Sequence, residues 1–268
     1  MPSADTLPRL LPVAAAFALL LAAGLAALVH LASRARPPAP PWRIALARCS
    51  AASPWRGRDL AMLLAALAAA RAVRFLLGPS IAWDMLTFQG AMIAGVCWLA
   101  RGKPRPFGAA LPARAVAGQA TLRWLAILPI LWAAALSWQL LLVALGHAPD
   151  FQDAVRLFLA VDDPWARAGF ILFATVLAPI AEEALFRGML LPILIRRLGA
   201  AAGLALTALA FAALHADAGT FLALALFSVA LSMACARTGT LWVPIGMHML
   251  FNGANLALLL ALSRAGAV

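Results

Sequence analysis

The stretch A-P-I-A-E-E-A-L-F-R, residues 178–187, decides how this chain reads. It sets two adjacent carboxylates, Glu182 and Glu183, inside a long apolar run, with Arg187 four residues after Glu183. Gly169–Ile180 before it and Gly188–Ile195 after it carry no charge. A central Asp, Lys or Arg in a membrane span costs roughly 2.5–3.5 kcal/mol even on lenient insertion scales, and such residues mark function. The rest of the chain has to justify that cost.

Working outward, the 268 residues are 65% hydrophobic and 12% charged, against about 45–50% apolar and about 25% charged in soluble domains. This composition implies an all-α, polytopic transmembrane helix bundle, with room for about seven or eight spans of roughly 20 residues. The net charge is +11, but the arginines sit between apolar runs rather than on a polar face. They read as topology determinants, and a nucleic-acid partner is excluded. Cys49, Cys97 and Cys235 have neither disulfide-framework nor metal-site spacing. The absence of tyrosine removes a tyrosine acid or nucleophile.

Eight spans are expected. Leu10–Ala32 reads as an uncleaved helix, since only Arg9 precedes it and Asp5 opposes that charge. Ser33–Arg58 carries six arginines and is kept extended by Pro37, Pro38, Pro40 and Pro41. Leu60–Leu77, weakened by Arg71 and Arg74, and Ile81–Ala100, with Asp84 near its start, follow. Asp84 is expected to pair with Arg71 or Arg74 at the boundary. A second basic segment holds Arg101, Lys103, Arg105, Arg114 and Arg123. Both basic segments are expected in the cytoplasm, so an even number of crossings lies between them.

Leu125–Leu145 is the next span, with Trp124 and Trp138 as interfacial anchors. His147–Asp163 is an outside loop. Arg167–Leu198, with Pro179 and Pro192, is one kinked helix or two pieces. Gly199–His215, Thr220–Ala236 and Leu241–Leu262 complete the set. Residues 1–166 form N-terminal transmembrane helices with basic cytoplasmic loops, and 167–262 form the core that holds the polar site.

Three further polar residues in the late spans can meet the glutamates. His215 closes F-A-A-L-H, and H-M-L-F-N puts His248 and Asn252 four apart on one helix face. Glu182 lies 16 residues before Leu198 and His215 lies 16 after Gly199, about 24 Å of helix each, so the two fall at similar depth. His248 lies eight residues past Thr240, about 12 Å, a poorer match. Chemically, amide hydrolysis needs an activated water, a proton donor and oxyanion donors. A buried carboxylate suits the base, and histidine and asparagine suit the other tasks. Two His and one Glu also form a catalytic zinc set. The H-E-x-x-H helix motif is absent, so such a site has to be assembled from separate helices.

These three motifs, in this order, resemble those of the CAAX protease and bacteriocin-processing family, also called the ABI family. Its pattern is Glu-Glu-x-x-x-Arg, then Phe-x-x-x-His, then His-x-x-x-Asn or Asp, and all three are met between Arg167 and Leu262. The resemblance implies an intramembrane peptidase. Glu182 then activates the water, His215 assists, and His248 and Asn252 stabilise the oxyanion. Glu183 and Arg187 brace the site as an i,i+4 ion pair. The family is often labelled metalloprotease, and Glu182, His215 and His248 are the zinc ligands if a metal is present. A metal-free, glutamate-activated water is the favoured reading.

The expected substrate is a membrane-associated peptide or protein in the lipid bilayer: lipidated, leader-type or C-terminally anchored. High Ala and Arg content points to the cytoplasmic (inner) membrane of a GC-rich bacterium. The alternatives are a non-catalytic scaffold or immunity-type protein, and a transporter. The transporter is disfavoured because no inverted repeat or matched pair of broken helices is visible.

Overall fold

The hydrophobic pattern builds helices and little else. The structure, a computed structural model, describes residues 6–33, 40–77, 81–147 and 153–266. Among them no strand forms, and the only sheet-like contact is a bridge between Gly108 and Thr240. The helices are α1 (Thr6–Ser33), α2 (Trp42–Ala52), α3 (Gly57–Leu77), α4 (Ile81–Ala100), α5 (Ala113–Ala144) and α6 (Asp153–Ala160). They continue as α7 (Pro164–Leu172), α8 (Ala178–Glu183), α9 (Leu191–Leu214), α10 (Phe221–Thr238) and α11 (Trp242–Arg264).

α7, α8 and the first part of α9 run together as one rod, joined by π-helical segments at Phe173–Leu177 and Ala184–Leu190. Each π segment is followed by a proline, Pro179 or Pro192, in the first turn of the next α-helical piece. A proline there costs least, because the π turn has already displaced the i→i−4 ladder its ring would break. The rod therefore survives two prolines.

Gly199 ends it. At φ 84° and ψ 169°, it holds a conformation open to glycine and strained for other residues, and it folds the chain back at the predicted Leu198/Gly199 boundary. The two arms run side by side: Phe186 packs edge-on against Phe211, with centroids 5.0 Å apart. Near the bend, a Cβ on Gly203 would lie 2.7 Å from the Ile195 backbone nitrogen. Gly203→Ala is expected to force the arms apart and cost about 1–3 kcal/mol, read as a lowered unfolding midpoint in detergent.

Among the described residues five helical stretches are long and apolar enough to cross a membrane: Leu10–Ser33, Ala113–Ala144, Pro164–Leu214, Phe221–Thr238 and Trp242–Arg264. The third has 51 residues and contains both arms about Gly199. α3 does not qualify, and α4 contributes only the shorter apolar helix Thr87–Ala100. The expected pair between Asp84 and Arg71 or Arg74 involves side chains outside the described residues.

Three local expectations are corrected. The basic segment 33–58 is not extended throughout, because α2 forms within it. Ala45, Leu46 and Ser50 share one buried face against α9 and α10, while Arg43 and Arg48 stay exposed. α5 begins twelve residues before Leu125, taking Arg114 and Arg123 into the helix. Trp124 is a core residue packed with Leu128 and Phe227, not an interfacial anchor. Trp138 instead donates its indole N–H to the carbonyl of Ala218 at the α9–α10 turn, 2.6 Å away.

The two basic segments meet at one end of the bundle. Arg196 donates to the carbonyls of Ser50 (2.7 Å) and Trp55 (2.8 Å). Lys103 pairs with buried Asp59 at 2.8 Å, and Trp55 Nε1 donates to the carbonyl of Pro106. The turn at Gly239, with φ 68°, is stitched to the same loop by Ala109 N–H to Gly239 O and Leu241 N–H to Phe107 O, each 2.9 Å.

Candidate active site

The middle of the rod carries the polar cluster because helical spacing aims it at two neighbours at once. Four residues separate Glu183 from Arg187, and Arg187 Nη1 donates to Glu183 Oε1 at 2.8 Å with both side chains fully buried. Arg187 Nη2 reaches α10, donating to Ser228 Oγ at 2.8 Å and to the Ser228 carbonyl at 3.1 Å. Its guanidinium lies 4.7 Å from the Phe211 ring centroid on the return arm. One cation thus ties the rod, α9 and α10 together. A planar fork has the donors for this, which a lysine ammonium lacks in that geometry.

Glu183 also holds α11. His248 Nδ1 donates to Glu183 Oε1 at 2.9 Å, which directs His248 Nε2 toward Glu182. That nitrogen lies 3.8 Å from Glu182 Oε2, beyond hydrogen-bond range. The imidazole is fixed edge-on between Phe227 and Phe211, each 5.7 Å away centroid to centroid. Glu182 differs from its neighbour in exposure: its side chain is 17% exposed, and its buried Oε2, like Glu183 Oε2, has no hydrogen-bond partner among the described residues. Glu183 is held through Oε1 alone, which accepts from both Arg187 and His248. Glu182 makes neither bond and is the more exposed of the two.

The depth estimate for His248 is corrected by this contact. The reason is where α11 starts. A Cβ on Gly188 would lie 3.4 Å from Leu241 Cδ1, so the residue preceding α11 sits beside Gly188, ten residues short of the rod's end. Counted from that level, His248 and Glu183 are each within seven residues of the common layer.

His215 caps the C-terminus of α9 and is half-buried. Its Nδ1 bonds the Phe211 carbonyl at 2.8 Å. A carbonyl only accepts, so Nδ1 carries a hydrogen, and in the neutral ring Nε2 then holds the lone pair. The ring packs on Phe211 at 4.8 Å, and Phe211 in turn touches His248 and Arg187. Phe211 is therefore the shared wall of the site. Asn252 is engaged elsewhere: its Nδ2 donates to the Ala174 carbonyl, 2.8 Å away in the first π segment. It locks α11 to the rod one turn beyond His248.

Among the described residues no three His, Cys, Asp or Glu side chains are arranged to hold a metal ion. Glu182, His215 and His248 are not among any such group. Sequence reading missed Ser228 and Ser232, whose hydroxyl donates to the Ser228 carbonyl at 2.8 Å. Their signal was two serines four apart in an otherwise apolar helix.

Residues 164–254 match the family described as Type II CAAX prenyl endopeptidase Rce1-like. The match begins with the first residue of α7, ends inside α11, and includes every residue of the polar cluster. No curated protein and no solved structure matches the chain significantly.

Proposed function

From the match of residues 164–254 to the Type II CAAX prenyl endopeptidase Rce1-like family, we propose that this integral membrane protein is an intramembrane endopeptidase of the CAAX protease and bacteriocin-processing family, using a glutamate-activated water. The carrying observation is the asymmetry of the glutamates. Glu183 is fully buried with Oε1 bonded by both Arg187 and His248, whereas Glu182 is 17% exposed, makes neither bond and faces His248 Nε2 across 3.8 Å. A gap of that length suits a bridging oxygen.

Glu182 takes a proton from that water and the hydroxide attacks the amide carbon. His215, with Nε2 free, assists the proton transfer, and the proton passes to the leaving amine. His248 and Asn252 stabilise the oxyanion. For His248 this requires a hydrogen on Nε2, the nitrogen that faces Glu182. Asn252 retains a second amide hydrogen beyond the one given to Ala174. Glu183 and Arg187 position His248 and do not touch the reacting atoms.

We read eight crossings: the two arms about Gly199, the other four long apolar helices, and α3 with α4 as a packed hairpin. The clustering of basic residues at one end supports a cytoplasmic placement of that end. The composition supports a bacterial inner membrane. The substrate class is a membrane-associated peptide: lipidated, leader-type or C-terminally anchored.

The test is cleavage of a panel of lipidated and transmembrane peptides by purified protein, with and without a chelator. Cleavage is expected to persist with the chelator and to fall about 100-fold or more in His215→Ala. Loss on chelation reversed by zinc overturns the metal-free mechanism. Full activity of His215→Ala overturns the site.

A further inference from the structure

The rod's basic end is strapped by α2, and under the strap two cysteines 186 positions apart in sequence come together. Cys49 Sγ on α2 lies 3.6 Å from Cys235 Sγ on α10, and both are free thiols. They share a cavity of about 60 Å³ with Ser53, Trp55, Arg187 and Gly188. The cavity is lined on one side by the loop that stitches Phe107 and Ala109 to the Gly239–Leu241 turn. α2 is already held on the rod by Ser50 Oγ to the Pro192 carbonyl (2.9 Å) and Ser53 Oγ to the Gly188 carbonyl (3.0 Å). The two sulfurs are therefore presented to each other by fixed elements.

We propose that Cys49 and Cys235 form a reversible dithiol–disulfide site that covalently clamps α2 to α10. A disulfide has an S–S length of about 2.05 Å, so closure requires the sulfurs to approach by about 1.5 Å. The two thiols differ as an attacking and a resolving sulfur should. Cys49 is half-buried and Cys235 is 3% exposed. The Cys235 thiol donating to the Cys49 sulfur favours the Cys49 thiolate and holds its pKa below the ordinary thiol value, with burial opposing.

The oxidant is a small disulfide, RS–SR. The Cys49 thiolate attacks one of its sulfurs, forming Cys49–S–SR and releasing one RS⁻. Cys235 then loses its proton and attacks the Cys49 sulfur, releasing the second RS⁻. Two electrons pass from the cysteine pair to the oxidant, and the two cysteine protons leave. An external thiol reverses both steps. The clamp stands independently of the peptidase reading.

The test uses full-length protein carrying Cys97→Ser, which removes the exposed third thiol, treated in detergent with 4,4′-dithiodipyridine. The expected result is two thiopyridones released per chain, a mass loss of two hydrogens with no retained adduct, and a thermal midpoint raised by about 5 °C or more. A dithiol reductant is expected to restore the starting mass and midpoint. Adding Cys235→Ser is expected to leave a stable pyridyl adduct on Cys49 and one thiopyridone. A pyridyl adduct that persists on Cys49 while Cys235 is present, or a disulfide to a second chain, overturns the proposal. An intramolecular disulfide that leaves the midpoint unmoved overturns the clamp.

Discussion

Glu182→Ala is expected to abolish peptide cleavage, by about 10³-fold or more, while leaving the unfolding midpoint unchanged or slightly raised. The two halves come from one fact. Glu182 Oε2 is buried without a hydrogen-bond partner, and its contact with His248 Nε2 is 3.8 Å. A carboxylate in that state is a desolvation cost that no internal bond offsets. Removing it takes away the base that activates water, worth about 10²–10⁴-fold as general-base catalysis alone, together with whatever it contributes to holding the nucleophile. The fold loses no bond. The measurement pairs turnover of a cleaved peptide with thermal unfolding in the same detergent. Retained turnover sinks the assignment of Glu182 as base. Lost turnover together with a collapsed midpoint means that Glu182 is part of the scaffold.

Arg187→Ala is expected to do the reverse, destabilising the protein by about 3–5 kcal/mol. Among the described residues its guanidinium and the His248 ring are the groups hydrogen-bonded to the Glu183 side chain, and the guanidinium also bonds Ser228 and covers Phe211. Truncation leaves the Glu183 carboxylate buried at 0% exposure and strips the Ser228 carbonyl of one donor. Breaking a buried pair from one side is costly, whereas replacing both partners with apolar groups is far less so. The double variant Glu183→Leu/Arg187→Leu is therefore expected to recover much of the loss, and the coupling is read from a double-mutant cycle of unfolding free energies. A loss below about 1 kcal/mol for Arg187→Ala removes the pair from its bracing role.

Spacing within one helix was legible without coordinates. Glu183 and Arg187 at i,i+4 had to share a face, and so did His248 and Asn252. The break at Gly199 was legible too, since a glycine follows Arg196, Arg197 and Leu198 where the apolar run ends. The π segments were not. They leave composition and apolar content unchanged, and show only as prolines that the rod tolerates. Nor was the helical nature of α2, because its proline-rich lead-in outweighed a three-residue buried face in a basic segment.

What the sequence by itself determined is the set of reactive groups and their order: a helical membrane chain with two glutamates, an arginine, two histidines and an asparagine on late helices. Tertiary structure alone decided which groups meet. α11 starts beside Gly188, so His248 meets Glu183 and its other nitrogen is aimed at Glu182. Asn252 bonds the rod's Ala174 carbonyl, and Cys49 arrives beside Cys235. Helical periodicity sets the face on which a side chain lies. The height of one helix against another depends on where its first turn is seated, and that is set by long-range packing at a glycine no wider than a backbone.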